Sequence, residues 1–178
     1  VLHYDADAVD GPARLKAALG DTPIDLLFSN AGARGESGQS LGNIHVDGVL
    51  DLIRINALAP LKLVEALIYN ITLSDRKLIA FQSSQMGSIG NNHSGGSYEY
   101  RLSKTALNMI ARNVANDLKP RGVITVALHP GWVRTRMGGQ GAPVSVEDAV
   151  DGQQKLFDGL GSEHNGRFFN YDGTELPW

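Results

Sequence analysis

The chain reads as an α/β domain built on a mostly parallel sheet, and three observations lead there. Short apolar runs, IDLLF at 24–28, KLIAF at 77–81 and VITVAL at 123–128, alternate with longer stretches of helical period. The runs lack the polar alternation of a sheet with one wet face, as expected of strands covered on both sides. Each is followed by a turn of small and polar residues, SNAGARG, QSSQMGSIG or HPGW, and α/β sheets place their chemistry at the carboxyl ends of their strands.

The elements follow in order. Val1–Tyr4 reads as the end of a strand, and Ala8–Leu19 as a short helix with Leu15, Ala18 and Leu19 on one face. After IDLLF comes a long helical pattern from Val46 to Ile71, carrying Leu52, Ile53, Leu63, Val64 and Leu67 and expected to break at Pro60. KLIAF is the next buried strand. Residues 98–118 return to helical period, with Leu102, Ala106, Leu107, Ile110 and Val114 as the apolar stripe. VITVAL is the third strand. Ser145 is placed to cap a helix running to about Asp158, with Glu147 and Asp148 near its positive end. RFFNYDG predicts a last short strand and turn.

A chain of 178 residues is the length of one domain, long enough to bury roughly two-thirds of its unfolded surface. Its formal net charge of −3 provides no basic footprint for nucleic acid or for an anionic membrane. With no cysteine there are no disulfides or thiolate metal sites, which fits a cytoplasmic location. The five histidines, His3, His45, His93, His129 and His164, are scattered without metal-ligand spacing, so no metal is expected. No apolar run reaches the ~20 residues of a membrane helix.

The chemistry concentrates in SYEYRLSKTAL at 97–107. Tyr100 and Lys104 are four apart and share a helix face, whereas Tyr98 has Leu102 at the equivalent position. A free phenol has a pKa near ~10, too high for ready proton exchange at neutral pH. An ammonium about 4 Å away would lower it by roughly three units at an effective dielectric of ~20, into the range where general acid–base catalysis works best. The spacing alone is common by chance. Its neighbours add weight. Ser83 and Ser84 follow the KLIAF strand, and a serine pair there also serves turn chemistry. Asn30, Ala31 and Gly32 close IDLLF, where small residues let a ligand approach the backbone. Asn56 lies inside a helical pattern it disfavours, and Pro130, Gly131 and Thr135 follow VITVAL.

Taken together, Asn30-Ala31-Gly32, Asn56, Ser83-Ser84, the YRLSK of 100–104 and the PGWVRT of 130–135 resemble the classical short-chain dehydrogenase/reductase family, in order, spacing and strand context. YEYRLSKTALN, LHPGWVRTRMGG and YDGTELPW are similar, more narrowly, to the sniffer-type carbonyl reductases and C-factor-like proteins. The resemblance implies a Rossmann-like, doubly wound fold and hydride transfer between a nicotinamide cofactor, NAD or NADP, and a small carbonyl or alcohol. NADP is slightly preferred by the subgroup. It implies Tyr100 as acid–base group, Lys104 as its tuner and ribose ligand, Ser84 (the second of the pair) as holder of the substrate oxygen, and Asn56 as anchor of a relay water, its backbone displaced from regular helix. Asn30, Ala31 and Gly32 would line the adenosine and diphosphate path, with Asp5 beside adenine. Val133 and Thr135 would meet the carboxamide after the Pro130-Gly131 turn, and RMGGQGAP would form a flap. Helices 46–70 and 98–118 would form a homodimer or homotetramer surface. The offset of 16 between Ser84 and Tyr100 exceeds the family's usual one, with NNHSGGS available to absorb the excess.

The family's glycine-rich turn after a first strand is not found here. The chain is therefore expected to be the catalytic and carboxyl-terminal portion of a longer reductase, lacking the first strands. IDLLF would then form an uncovered sheet edge, and the portion alone would bind cofactor poorly. The alternative reading is a non-catalytic regulatory or signalling homologue on the same scaffold.

Overall fold

In a computed structural model of the chain, described for all residues except 1, 3, 6, 7, 9, 37 and 38, four parallel strands form one sheet in the order β1-β2-β3-β4. The strands are β1 (Leu26–Ser29), β2 (Leu78–Gln82), β3 (Ile124–His129) and β4 (Phe168–Asn170). The helices are α1 (Gly11–Leu19), α2 (Val46–Ile53), α3 (Ala59–Leu73), α4 (Tyr98–Leu118) and α5 (Val146–Gly159). This is the Rossmann-like arrangement, with the register of its two central strands running from Leu78 opposite Ile124 to Gln82 opposite Leu128.

The sheet is covered on both faces, as the unbroken apolar runs require. Ile79, Phe81 and Ala127 point to one side, where they pack with Leu63, Leu67 and Ile71 of α3 and Leu107 and Ala111 of α4. Leu78, Ala80, Val126 and Leu128 alternate to the other, against Phe157 of α5. Phe28 meets Phe157 edge to face at 5.2 Å, which carries α5's cover toward β1. On the first side Trp178 stacks on Phe168 at 5.6 Å.

Boundaries move by one to three residues from those expected, and α4 coincides with its expected span. Helix α1 starts at Gly11 rather than at Ala8, with Pro12 in its first turn, where the missing amide costs nothing. Ser145 caps α5 by accepting from the Asp148 amide at 2.9 Å. Leu2 and Tyr4 are not in a strand, and Val1 and His3 lie outside the described residues. The long second helical region breaks at a different place from the one expected. Pro60 sits comfortably in the first turn of α3, and the irregularity is a π turn over Arg54–Leu58, in which the Ala59 amide bonds back to the Arg54 carbonyl. Proline at a helix start needs no kink. The extra residue of the π turn brings Asn56 to the protein interior. Strand β1 is one of the two outer strands of the sheet, with three of its four residues only half buried.

Candidate active site

The turns after β1, β2 and β3, together with the first turns of α4, enclose a cavity of about 890 Å³ at the carboxyl ends of the strands, near the upper end of the usual range for ligand pockets. Asn30, Gly32, Ser84, Tyr100, Lys104, Pro130, Gly131, Val133 and Thr135 all line it. Asn56 stands directly behind the wall. Ala31 is exposed and outside the lining, and Asp5, exposed on the stretch before α1, does not reach the cavity.

Asn56 is wholly buried and its carboxamide is fully employed. Its Nδ2 donates to the Ala33 carbonyl at 2.8 Å and to Ser103 Oγ at 2.9 Å, while its Oδ1 accepts from the Ala33 amide at 2.8 Å. Ser103 in turn donates to the Tyr100 carbonyl at 2.9 Å. One side chain thus ties the turn after β1 to the tyrosine helix. Gly32 eases this approach, since a Cβ there would lie 3.2 Å from Asn56 Oδ1 and 3.4 Å from Lys104 Nζ.

The two serines divide their work. Ser83 Oγ donates to Asn108 Oδ1 at 2.5 Å and is spent on packing α4. Ser84 Oγ accepts the Met86 amide at 3.1 Å, which leaves its proton to give, and it lines the same cavity as the Tyr100 phenol. The long Ser84–Tyr100 spacing is absorbed in a loop gathered by Arg101, which donates to the Met86 carbonyl at 3.2 Å, the Gly95 carbonyl at 3.2 Å and Ser94 Oγ at 2.9 Å. Gly87 lets that loop lie on α4. A Cβ there would come within 2.7 Å of the Lys104 carbonyl carbon.

Lys104 lies over the Tyr100 ring, its Nζ 5.8 Å from the centroid, and donates to the Gln82 carbonyl at 2.8 Å. Burial pulls its pKa down to about 8. Helix spacing predicts that the lysine lowers the phenol's pKa, but the balance at Tyr100 differs. Burial pushes the phenol above its ordinary value, and the Ser84 hydroxyl and the Arg34 guanidinium draw it back only in part. The lysine charge is turned toward a main-chain carbonyl, and desolvation weakens that charge in the same step.

Other lining groups escaped the sequence reading as site residues: Arg34, Met86, Trp132, Met137 and Gln153. Arg34 was visible inside SNAGARG, a cation directly after a ligand-approach turn. His129 lines the cavity with its Nδ1 unpartnered, and burial holds its pKa at about 4, with Asp172 opposing slightly. Gln82 Oε1 is also buried without a partner.

Comparison with known proteins follows the same lines. Residues 6–143 match the family model described as short chain dehydrogenase. The C-signal of Myxococcus xanthus is 44% identical over 156 residues, covering 88% of this chain and 93% of that protein. A Rhodococcus protein, 1-hydroxy-2-glutathionyl-2-methyl-3-butene dehydrogenase, is 36% identical over 87% of this chain and 69% of its own length. Among solved structures, the carbonyl reductase Sniffer of D. melanogaster superposes with a TM-score of 0.94 at 34% identity, over 99% of this chain and 77% of that one. The NADPH-bound carbonyl reductase from chicken fatty liver gives 0.87 at 29% identity, over 98% and 74%. Sequence motifs and fold agree with these matches, and the chain belongs to the short-chain dehydrogenase family.

Proposed function

We propose that this protein reduces a small carbonyl compound to an alcohol, or runs the reverse oxidation, with a nicotinamide cofactor. The observation that carries the reading is the convergence of Ser84, Tyr100 and Lys104 on one cavity at the carboxyl ends of the strands. The lining fits such a cofactor. It holds the cations Arg34, Arg101 and Lys104 and no carboxylate, and the orphaned Gln82 Oε1 and His129 Nδ1 are buried groups awaiting polar partners. NADP is preferred to NAD, because the chicken reductase and a Burkholderia multivorans short-chain dehydrogenase/reductase were solved with NADPH and NADP bound.

When bound, the cofactor supplies the hydride that reaches the carbonyl carbon. Ser84 donates its free proton to the carbonyl oxygen and orients it. Tyr100 delivers the phenolic proton to that oxygen as the negative charge develops. Lys104, beside the Tyr100 ring, would hold the nicotinamide ribose. The π turn sets Asn56 between the turn after β1 and the tyrosine helix, where it would anchor the water that reprotonates the site. Asn30, Gly32, Val133 and Thr135 bind the cofactor on the side of the turns after β1 and β3. The exposed Leu50, Leu102 and Met109 on α2 and α4 support pairing of two copies through those helices.

The test is oxidation of NADPH or NADH by the protein with a panel of small aldehydes and ketones. Tyr100→Phe is expected to lower the rate by roughly 10²-fold or more, the scale of general acid catalysis, with the fold unchanged by circular dichroism. Wild-type protein with neither turnover nor cofactor binding would sink the reading. One observation favours a second reading, a signalling protein on this scaffold: the chain spans 93% of a relative named for a signal. A biological response that survives Tyr100→Phe would decide for it.

A further inference from the structure

Three cations line the cavity, and they are not equally available. Lys104 is buried and donates to the Gln82 carbonyl. Arg101 is committed to three acceptors in the loop it gathers. Arg34 makes a single hydrogen bond, from Nη1 to the Met137 carbonyl at 3.0 Å, and no ion pair among the described residues. The nearby acids are engaged elsewhere: Glu36 lies 3.3 Å from His45, and Glu99 accepts from Gln39 and from the Glu36 amide. A guanidinium has five N–H donors in a planar fork suited to a carboxylate. The Arg34 fork therefore faces the cavity largely unused, with its field felt at the Tyr100 phenol, the reacting end of the site.

We infer that Arg34 is a specificity residue and that the natural substrate is a carbonyl compound bearing a carboxylate, which Arg34 pairs while the carbonyl oxygen meets Ser84 and Tyr100. This rests on the reductase reading above. Binding would also engage the loop after β3, since Arg34 already holds it through Met137. The remainder of the lining suits the body of such a molecule, with Met86, Trp132 and Met137 supplying apolar surface.

The experiment compares para-carboxybenzaldehyde with its methyl ester, with NADPH, in wild type, Arg34→Met and Arg34→Lys. Wild type is expected to favour the acid in kcat/KM by roughly ten- to a hundredfold, the range of a charge-assisted hydrogen bond, less at high salt. Arg34→Met should bring that ratio near unity through KM for the acid, and Arg34→Lys should restore part of it. A common fall in both rates reports the lost field at Tyr100, so the ratio alone is diagnostic. A wild-type ratio near unity, a ratio unchanged in Arg34→Met, or a change confined to KM for NADPH overturns the inference. If neither aldehyde turns over, the reductase reading is decided separately by the carbonyl panel and cofactor binding. Titration of para-hydroxymethylbenzoate against benzyl alcohol then decides the anion site: tighter binding of the acid, lost in Arg34→Met, upholds it, and equal binding overturns it.

Discussion

The interior and an outer strand of the same sheet are held by different means. β2 and β3 are almost wholly buried, pair on both edges and are packed on both faces. β1 pairs on one edge, with β2, and three of its four residues remain half exposed. The turn that leaves β1 nevertheless carries Asn30 and Gly32, which line the cavity. What steadies that turn is Asn56, which pairs both main-chain groups of Ala33 as a neighbouring strand would. The strut is itself rooted in α4 through Ser103. A polar side chain thus extends the rigidity of the interior to a loop whose own strand provides little.

The comparison is broken most directly by truncating one aromatic in each region. Phe81→Ala, fully buried in β2, is expected to cost about 3–5 kcal/mol. Phe28→Ala, half buried in β1, should cost about half as much. Equal shifts in urea denaturation midpoint would abolish the distinction.

A somewhat smaller effect sharpens it at the end of β3. His129 has a folded pKa of about 4 against 6.5 when free, so below the free value the unfolded chain binds a proton that the folded one refuses. Stability is therefore present above pH 6.5 and is lost as the pH falls toward about 4, by on the order of 3 kcal/mol. His129→Gln should flatten this acid limb in denaturation midpoints measured across the range.

An effect of similar size, over a higher pH range, is at Lys104, whose folded pKa of about 8 lies below its free value of 10.5. Here stability rises with pH between those values, because the buried ammonium is relieved of its charge. Cofactor affinity should move oppositely, weakening above pH 8 by at most about tenfold per pH unit. Tyr100, displaced upward, opposes the stability gain only above pH 10. Fluorescence titration with NADPH checks the sign, and Lys104→Met should remove both trends.

Much of this was legible in the residues. The central strands announced themselves by apolar runs with no polar alternation, and α4 by its stripe and the Tyr100–Lys104 spacing. The π turn was not, because hydrophobic periodicity averages over a single inserted residue. The poor helix propensity of Asn56 was its only local trace, and Pro60 offered a more familiar explanation. The direction of the phenol's pKa was also beyond sequence, since spacing fixes which groups share a face but not how much water remains around them. Arg34 stood in plain view, yet its importance depends on what its neighbours do. Only the hydrogen bonds of Arg101 and Lys104 show which cation is left over.

Gly87 has a consequence for precision. The serine loop and the tyrosine helix touch there backbone to backbone, so the gap between Ser84 and Tyr100 is gauged by an absent carbon. A methyl group at that point would act as a shim, prising Ser84 and Tyr100 apart by a fraction of an ångström. Misplacement of about 1 Å is enough to cost a reaction roughly two orders of magnitude in rate. The tolerance of the site is thus set on the far side of the loop, at a residue that need never touch a substrate.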